Sequence, residues 1–423
     1  MTEVQEPQAG RRLPRALHPF RHAAYRRLAI ALVLATFAGG VWTVGLVWEV
    51  IRIGGGPGQL SVVATASAIG VILPALLGGV VADRVPQKVI LLGVAAIEFL
   101  CMGTVAALSL VDVTLVWHLG AVGFLIGAAM AFYYPAYSAW LPALVPEEDL
   151  LQVNGFEGMV RPTVGQAVGP AVAGAVVGAA SPGAALTIAA LSSLAGLLAL
   201  STVPRTPVRR EDGGDPASVL HDLREGFAYM WRTPWLLATL LFASVMVFVM
   251  MGPLEVLVPF LIKDRLGGGP GDHAKVLAAF GIGGAVGSLA MASRRMPRRY
   301  LTVMNLLWGV GALPFVVMGV ATAIWQVVAA AFALGILFSA PMVIWGTLLQ
   351  RRVPPHLLGR VASLDFFVSI SLMPLSMAFA GPVSEAIGLR ATFFIAGVVP
   401  VVAAVVTIVA ARLPQDELAH PLD

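Results

Sequence analysis

The chain has 423 residues, 58% of them hydrophobic and only 12% charged, with a mean hydropathy of +0.87. An average soluble domain is about 25% charged, and so few charges cannot cover the surface of a soluble fold this apolar. The net charge of +4 and pI of about 9.5 would suit a nucleic-acid partner, but the basic residues sit in short clusters between apolar runs, the pattern of membrane topogenesis. The single cysteine, Cys101, excludes an internal disulfide or a Cys-based metal cluster.

A spanning helix needs about 20 mostly apolar residues, and twelve stretches qualify. In chain order they are Tyr25–Val50, Gly58–Ala82, Val89–Leu110, Thr114–Tyr134, Gly155–Ala179, Ala184–Val203, Pro234–Ile262, His273–Ser293, Tyr300–Val320, Ile324–Leu349, Val361–Ile387 and Arg390–Arg412. The expected organisation is a polar tail over 1–24, a six-helix bundle over 25–203, a linker over 204–233, a second bundle over 234–412 and a tail over 413–423. With the N-terminus placed in the cytoplasm, 21 of the 27 Lys and Arg fall on that side, five on the other, and Arg161 inside a span. This is a strong positive-inside bias and puts both termini in the cytoplasm.

Within the linker, Ala217–Arg232 mixes Leu220, Leu223, Phe227 and Met230 with Asp222, Arg224 and Arg232. That suits either an amphipathic helix on the membrane surface or a plain linker. A weak internal repeat joins the two halves: Pro135, Pro146 and Leu150-Leu151 recur as Pro341, Pro354 and Leu357-Leu358, about 207 residues later. No Walker loop is present, since Gly54–Gly58 and Gly267–Gly271 lack the following Lys-Ser/Thr and read as turns, and the seven histidines have no metal spacing.

Between the second and third spans lies Gly79-Val80-Val81-Ala82-Asp83-Arg84-Val85-Pro86-Gln87-Lys88. Its G-x-x-x-D-R-x-x-x-K spacing resembles the corresponding loop of the major facilitator superfamily of secondary transporters. The resemblance covers about Phe20 to Leu413. It implies an all-α integral membrane fold of twelve helices in two pseudo-symmetric six-helix bundles, related by an axis along the membrane normal. It also implies that Gly79, Asp83, Arg84 and Lys88 form a gating latch between the halves; the alternative is a loop that only sets topology. Pro86 replaces a family glycine, Val89 the last family base, and the second-half loop has Arg294 in place of the acid.

The fifth span, with Gly165, Gly169, Pro170 and Gly174, resembles the antiporter signature of drug exporters. Small residues four apart let backbones approach closely in lipid, and Pro170 can kink the helix. The fourth-span arginine of that group is absent, and Gly39-Gly40-Val41-Trp42 lacks the acid often found in the first span. The stretches Leu141–Leu150 and Gln350–Val361 resemble the drug:proton antiporter branch that includes macrolide and enterobactin exporters.

Charges inside a bilayer are expensive, so each embedded one is a functional candidate. Glu157 and Arg161, four apart on one helical face, are expected to pair, either as a coupling site or as plain packing. Glu98 in the third span and Asp365 in the eleventh are further candidate proton carriers. Tyr133, Tyr134, Trp42, Met246, Met250, Trp308 and Trp345 are candidates to line an apolar cavity or to pack helices. Glu49 with Arg52, Glu255 and Glu385 are placed at the outer mouth.

The function expected is proton-coupled efflux of small amphipathic compounds of drug or macrolide type by a monomer in the bacterial inner membrane. The partners are a small-molecule substrate and the bilayer, without nucleic acid; no cofactor is expected, the proton gradient supplying the energy. A siderophore exporter, a lysophospholipid flippase and a non-transporting sensor or assembly partner are the alternatives.

Overall fold

The computed structural model describes residues 15–146, 149–206 and 216–422. The start of the polar tail, Glu147-Glu148 and the Gly213-Gly214 centre of the linker lie outside them. So do the side chains of 76–84, including those of Asp83 and Arg84, and that of Tyr134.

Apolar runs without water to bond their amides must close every hydrogen bond internally, which selects helix. The first six are α1 (Ala23–Arg52), α2 (Pro57–Arg84), α3 (Gln87–Leu110), α4 (Val116–Trp140), α5 over 150–179 and α6 (Pro182–Ser201). The linker forms α7 (Pro216–Arg232). The second set is α8 (Pro234–Arg265), α9 (Pro270–Ala292), α10 (Tyr300–Val320), α11 (Ile324–Arg352), α12 over 355–387 and α13 (Leu389–Ala410), followed by a short α14 (Leu413–Ala419).

Eleven of these are long and apolar enough to cross a membrane. The twelfth, α5, is broken into Leu150–Val160, a π-helical stretch Arg161–Val168 and Gly169–Ala179. Pro162 and Pro170 remove two backbone donors from this run, and a wider turn accommodates the loss. The same device recurs in α8, where Pro253–Leu257 and Leu261–Arg265 are π-helical.

The repeat is visible in the packing. A methyl added at Gly127 of α4 would collide with the Ser67 carbonyl of α2, and one at Gly70 with the Phe124 carbonyl. In the second half, a methyl at Gly335 of α11 would collide with the Phe280 carbonyl of α9, and one at Gly283 with the Phe332 carbonyl. Phe124 and Gly127 thus match Phe332 and Gly335 at a spacing of 208 residues. The turns entering α2 and α9 also correspond, with Gly54 and Gly267 at φ of 81° and 64°, a region that only glycine enters freely.

Helix α7 packs on α8 and α12 through buried Met230 and leaves Phe227 and Trp231 exposed, their rings 6.1 Å apart. The linker segment is thus helical over Pro216–Arg232. Helix α14 fastens the chain end to α10: the Glu417 carboxylate, 1% exposed, accepts from Leu301 N (2.9 Å), Thr302 N (3.1 Å) and Thr302 Oγ (2.7 Å). It satisfies the free amides at that helix N-terminus.

Gly127→Ala should lower the stability of the detergent-solubilised protein by about 1–3 kcal/mol, the cost of overpacking, and Gly335→Ala should do the same. Gly103→Ala, where nothing lies within 4 Å, should melt like the parent in a thermal-unfolding assay. Equal melting of all four proteins would refute the packing account.

Candidate functional site

The halves meet along two seams. The Met373–Ile387 part of α12 packs on α2, and α9 packs on the π-helical and Gly169–Ala179 parts of α5. On the first seam, Gly381 N donates to Ser61 Oγ (2.9 Å), and a Cβ at Gly381 would lie 2.7 Å from Gly58 Cα. On the second, a Cβ at Gly174 would lie 2.9 Å from both the Pro270 carbonyl and Ala274 Cβ. Deeper along that seam, Gln166 meets Gly281.

All four of Gly58, Gly381, Gly174 and Pro270 belong to the membrane face opposite the arginine-rich loops. Toward the basic face, the Leu150–Val160 part of α5 packs mainly on the Arg15–Arg21 turn, and the Pro355–Ile370 part of α12 on α7, α8 and α11. Among the described residues, the two bundles therefore close together at one face and separate toward the basic one.

The glycines of the fifth span divide their work. Gly165, Gly169 and Pro170 pack on Gly40 of α1, where a Cβ would lie 2.5 Å from the Gly165 carbonyl and 3.1 Å from Gly169 Cα. That contact is inside one half, and of the expected seam residues only Gly174 reaches the other half. The Gly39-Gly40 pair, noted in the sequence for the acid it lacks, is thus the partner surface of α5.

Lys88 of the gating-type loop also stays within its own half. Its ammonium donates to the Ser201 carbonyl (2.7 Å) and to that of Val203, while Arg27 donates to Thr202 O (2.6 Å). Two cations thereby neutralise the carbonyl end of α6.

The embedded acids of the first half gather around one point. Glu98 of α3, Tyr133 and Tyr137 of α4 and Ser193 of α6 line a cavity of about 30 Å³, room enough for a water. Tyr133 and Tyr137 stack with centroids 5.5 Å apart. Ser193 Oγ, Tyr137 Oη, Tyr25 Oη and Glu157 Oε1 are all buried without a hydrogen-bond partner. Glu157 lies within electrostatic reach of Tyr25, Tyr133 and Tyr137.

The expected Glu157–Arg161 pair is not in contact. Arg161 closes the α-helical stretch, its N–H bonding the Glu157 carbonyl, but the two side chains form no ion pair; its charge still acts on Glu157 from a distance. Sequence reasoning missed Tyr137, although it stands one helical turn from Tyr133 on the same face.

In the second half, Asp365 accepts from Trp345 Nε1 (2.9 Å) and Ser369 Oγ (3.2 Å). Trp345 sits edge-on to Trp235 and Trp308, at 6.2 and 6.4 Å. Trp308 and Trp345, with Trp42, Met246 and Met250, are buried helix packing, whereas Trp235 borders a cavity of about 540 Å³ together with Arg351, Arg352 and Asp416. Glu49, fully buried, is held by Arg52 (2.8 and 2.9 Å) and Ser109 (2.8 Å). Arg52 also reaches Asp112 (2.5 Å), a fixed network at the face where the halves meet.

A family model described as "Transmembrane secretion effector" matches residues 15–421. The chain belongs to that family. Its fold is that of the major facilitator transporters, and it is a multi-pass membrane transporter. The family relatives include the multidrug efflux pump Tap of Mycolicibacterium fortuitum, 25% identical over 93% of this chain and 97% of that protein. They also include macrolide efflux protein A of Streptococcus pyogenes, 27% identical over 82% and 87% of the two chains. Among solved structures, a mutant of the nucleoside transporter NupG superposes with a TM-score of 0.74 at 14% identity, covering 91% of this chain and 99% of that one. A bacterial homologue of the lysosomal transporter Spinster, in an inward-facing and unoccupied conformation, gives 0.70 at 17% identity, covering 94% and 98%.

Gly381→Val should wedge α12 from α2 and favour the form open at the opposite face. In a Cys101→Ala background, spin labels at Gly56 and Gly388 should report a population at longer separation. An unchanged distance distribution would show that this seam does not hold the halves together.

Proposed function

We propose that the chain exports small amphipathic compounds of drug or macrolide type by alternating access, driven by proton entry. The observation that carries the reading is the one-sided contact of the two bundles. A transporter that opens to each side in turn needs halves joined at one face and parted at the other. The basic face is assigned to the cytoplasm of a bacterial inner membrane by its arginine-rich loops, with both termini on that side. The multidrug and macrolide pumps among the relatives support the substrate class.

Coupling is assigned to Glu157. A carboxylate buried in a spanning helix without a contacting cation is costly when charged. Taking up a proton removes that cost, so the protonated and ionised forms favour different arrangements of the surrounding helices. Tyr137 and Tyr25 supply hydroxyls that can either donate to the ionised acid or accept from the protonated one. Asp83 and Arg84, at the end of α2, are proposed as the latch of the basic face, and the protein is proposed to work as a monomer without a cofactor.

In everted membrane vesicles, energised by respiration, the protein should accumulate ethidium, and a protonophore should abolish the accumulation. Glu157→Gln should reduce the energised rate at least tenfold with expression unchanged. Ethidium accumulation that survives the protonophore would overturn proton coupling. No accumulation of ethidium or of a radiolabelled macrolide by the parent protein would overturn the export reading.

A further inference from the structure

Two of the acids embedded in spanning helices stand in the register of the internal repeat. Glu157 and Asp365 are 208 residues apart, as are Tyr137 and Trp345, and Arg161 and Ser369. The same spacing relates Gly127 to Gly335, whose surroundings match in the two halves. In each half, therefore, an acid on the fifth helix of the bundle stands opposite a polar aromatic twenty residues earlier, on the fourth. The geometry points to a second proton-carrying site, formed by Asp365 with Trp345 and Ser369, as the counterpart in the C-terminal half of Glu157. This inference rests on the proton-coupled reading above and adds a second carrier to it.

The two sites differ in the charge of one neighbour. Where the first half has Arg161, whose charge acts on Glu157, the second has Ser369, which donates a neutral hydrogen bond to Asp365. Of the elements packed on the Pro355–Ile370 segment, the Pro234–Gly252 part of α8 contains no ionisable residue. Helix α11 brings Arg351 and Arg352 at its end, and Arg352 pairs with Asp416 (2.5 Å) and lies over the Trp235 ring. Helix α7 brings Arg224, Glu225, Tyr229 and Arg232, and also His221 and Asp222, whose side chains lie outside the described residues. On the segment itself, the side chains of His356 and Arg360 lie outside them too. Among the described residues, no cation forms an ion pair with Asp365.

Two neutral donors leave the carboxylate with its full charge inside a spanning helix, where a proton is the smallest group that removes it. The donors also decide where the proton goes. Trp345 Nε1–H can only donate, so it stays on Oδ2, whereas the Ser369 hydroxyl can turn from donor to acceptor. Protonation therefore forms an O–H bond at Oδ1 that donates to Ser369 Oγ. Deprotonation breaks that bond and restores the present arrangement, with no other bond made or lost.

The test uses the full chain in two measurements. First, the pH-difference infrared spectrum of the reconstituted protein should contain a carboxylic-acid band that Asp365→Asn removes and Glu157→Gln leaves in place. This readout needs no transport. Second, in proteoliposomes Asp365→Asn should lose pH-gradient-driven ethidium uptake at least tenfold, yet keep ethidium counterflow, which needs no net proton movement. Asp365→Glu should recover driven uptake with a displaced pH profile.

Retention of the band, or driven uptake at the parent rate in Asp365→Asn, would overturn the second site. So would loss of counterflow together with driven uptake in a variant that melts like the parent, the result expected if Asp365 only ties α12 to α11. A parent protein that shows the Asp365 band but moves no ethidium and no macrolide would instead refute the transport reading and leave the protonation site standing.

Discussion

The close approach of helix backbones at small residues underlies the rest of the architecture. In hydrocarbon, apolar side chains gain little by leaving lipid for one another, so helices associate through van der Waals contact and interhelical hydrogen bonds. Each half is built on one such contact, between Gly127 and the Ser67 carbonyl in the first and between Gly335 and the Phe280 carbonyl in the second. The same chemistry, applied across the halves at Gly381 and Gly174, holds them together at one face. The contacts within a half are many and mutually enclosed, whereas those between halves are two narrow seams. That difference is what the proposed alternating access needs, bundles that part from each other while each stays intact.

Polar groups were placed within this scaffold under a second constraint. Where a charge could be satisfied permanently it was, as at Glu49 with Arg52 and Ser109, at Lys88 on the end of α6, and at Glu417 on the start of α10. All three lie at helix ends, where a fixed pair or cap costs little and ties neighbouring helices. Glu157 and Asp365 are different: they lie along spanning helices and lack a contacting cation among the described residues. Glu98 also lacks one, but Glu157 and Asp365 share the register of the internal repeat.

Most of the fold was legible in the sequence because lipid makes hydropathy nearly a direct readout of structure. Run lengths placed the spans to within a few residues, and the spacing of Pro146 and Pro354 foretold the matched packing of the halves. The candidate site was less legible. The Glu157–Arg161 pair was expected from α-helical spacing, and although the backbone keeps that spacing the two side chains form no ion pair. Linear spacing likewise could not say which neighbour a glycine faces, so Gly165 and Gly169 were expected at the seam between halves but pack on Gly40 within one. Lys88 was assigned to a latch by resemblance, whereas the carbonyls it binds are brought to it only by folding α6 back against α3. Tyr137 went unnoticed because its importance comes from Glu157 on the next helix.

The departures from perfect repetition bear on how two such halves can work together. A symmetric pair of sites, each an acid beside an arginine, would stay charge-balanced in every conformation and give a proton little to do. Replacing the arginine by Ser369 in one half removes that balance there, while in the other Arg161 stands out of contact with Glu157 but keeps its field. The two acids are thus left in unequal surroundings, the first under a distant positive charge and the second held, among the described residues, by neutral donors. In the proposed proton-coupled cycle, unequal sites in otherwise matched halves would let the two acids take up and release protons at different stages.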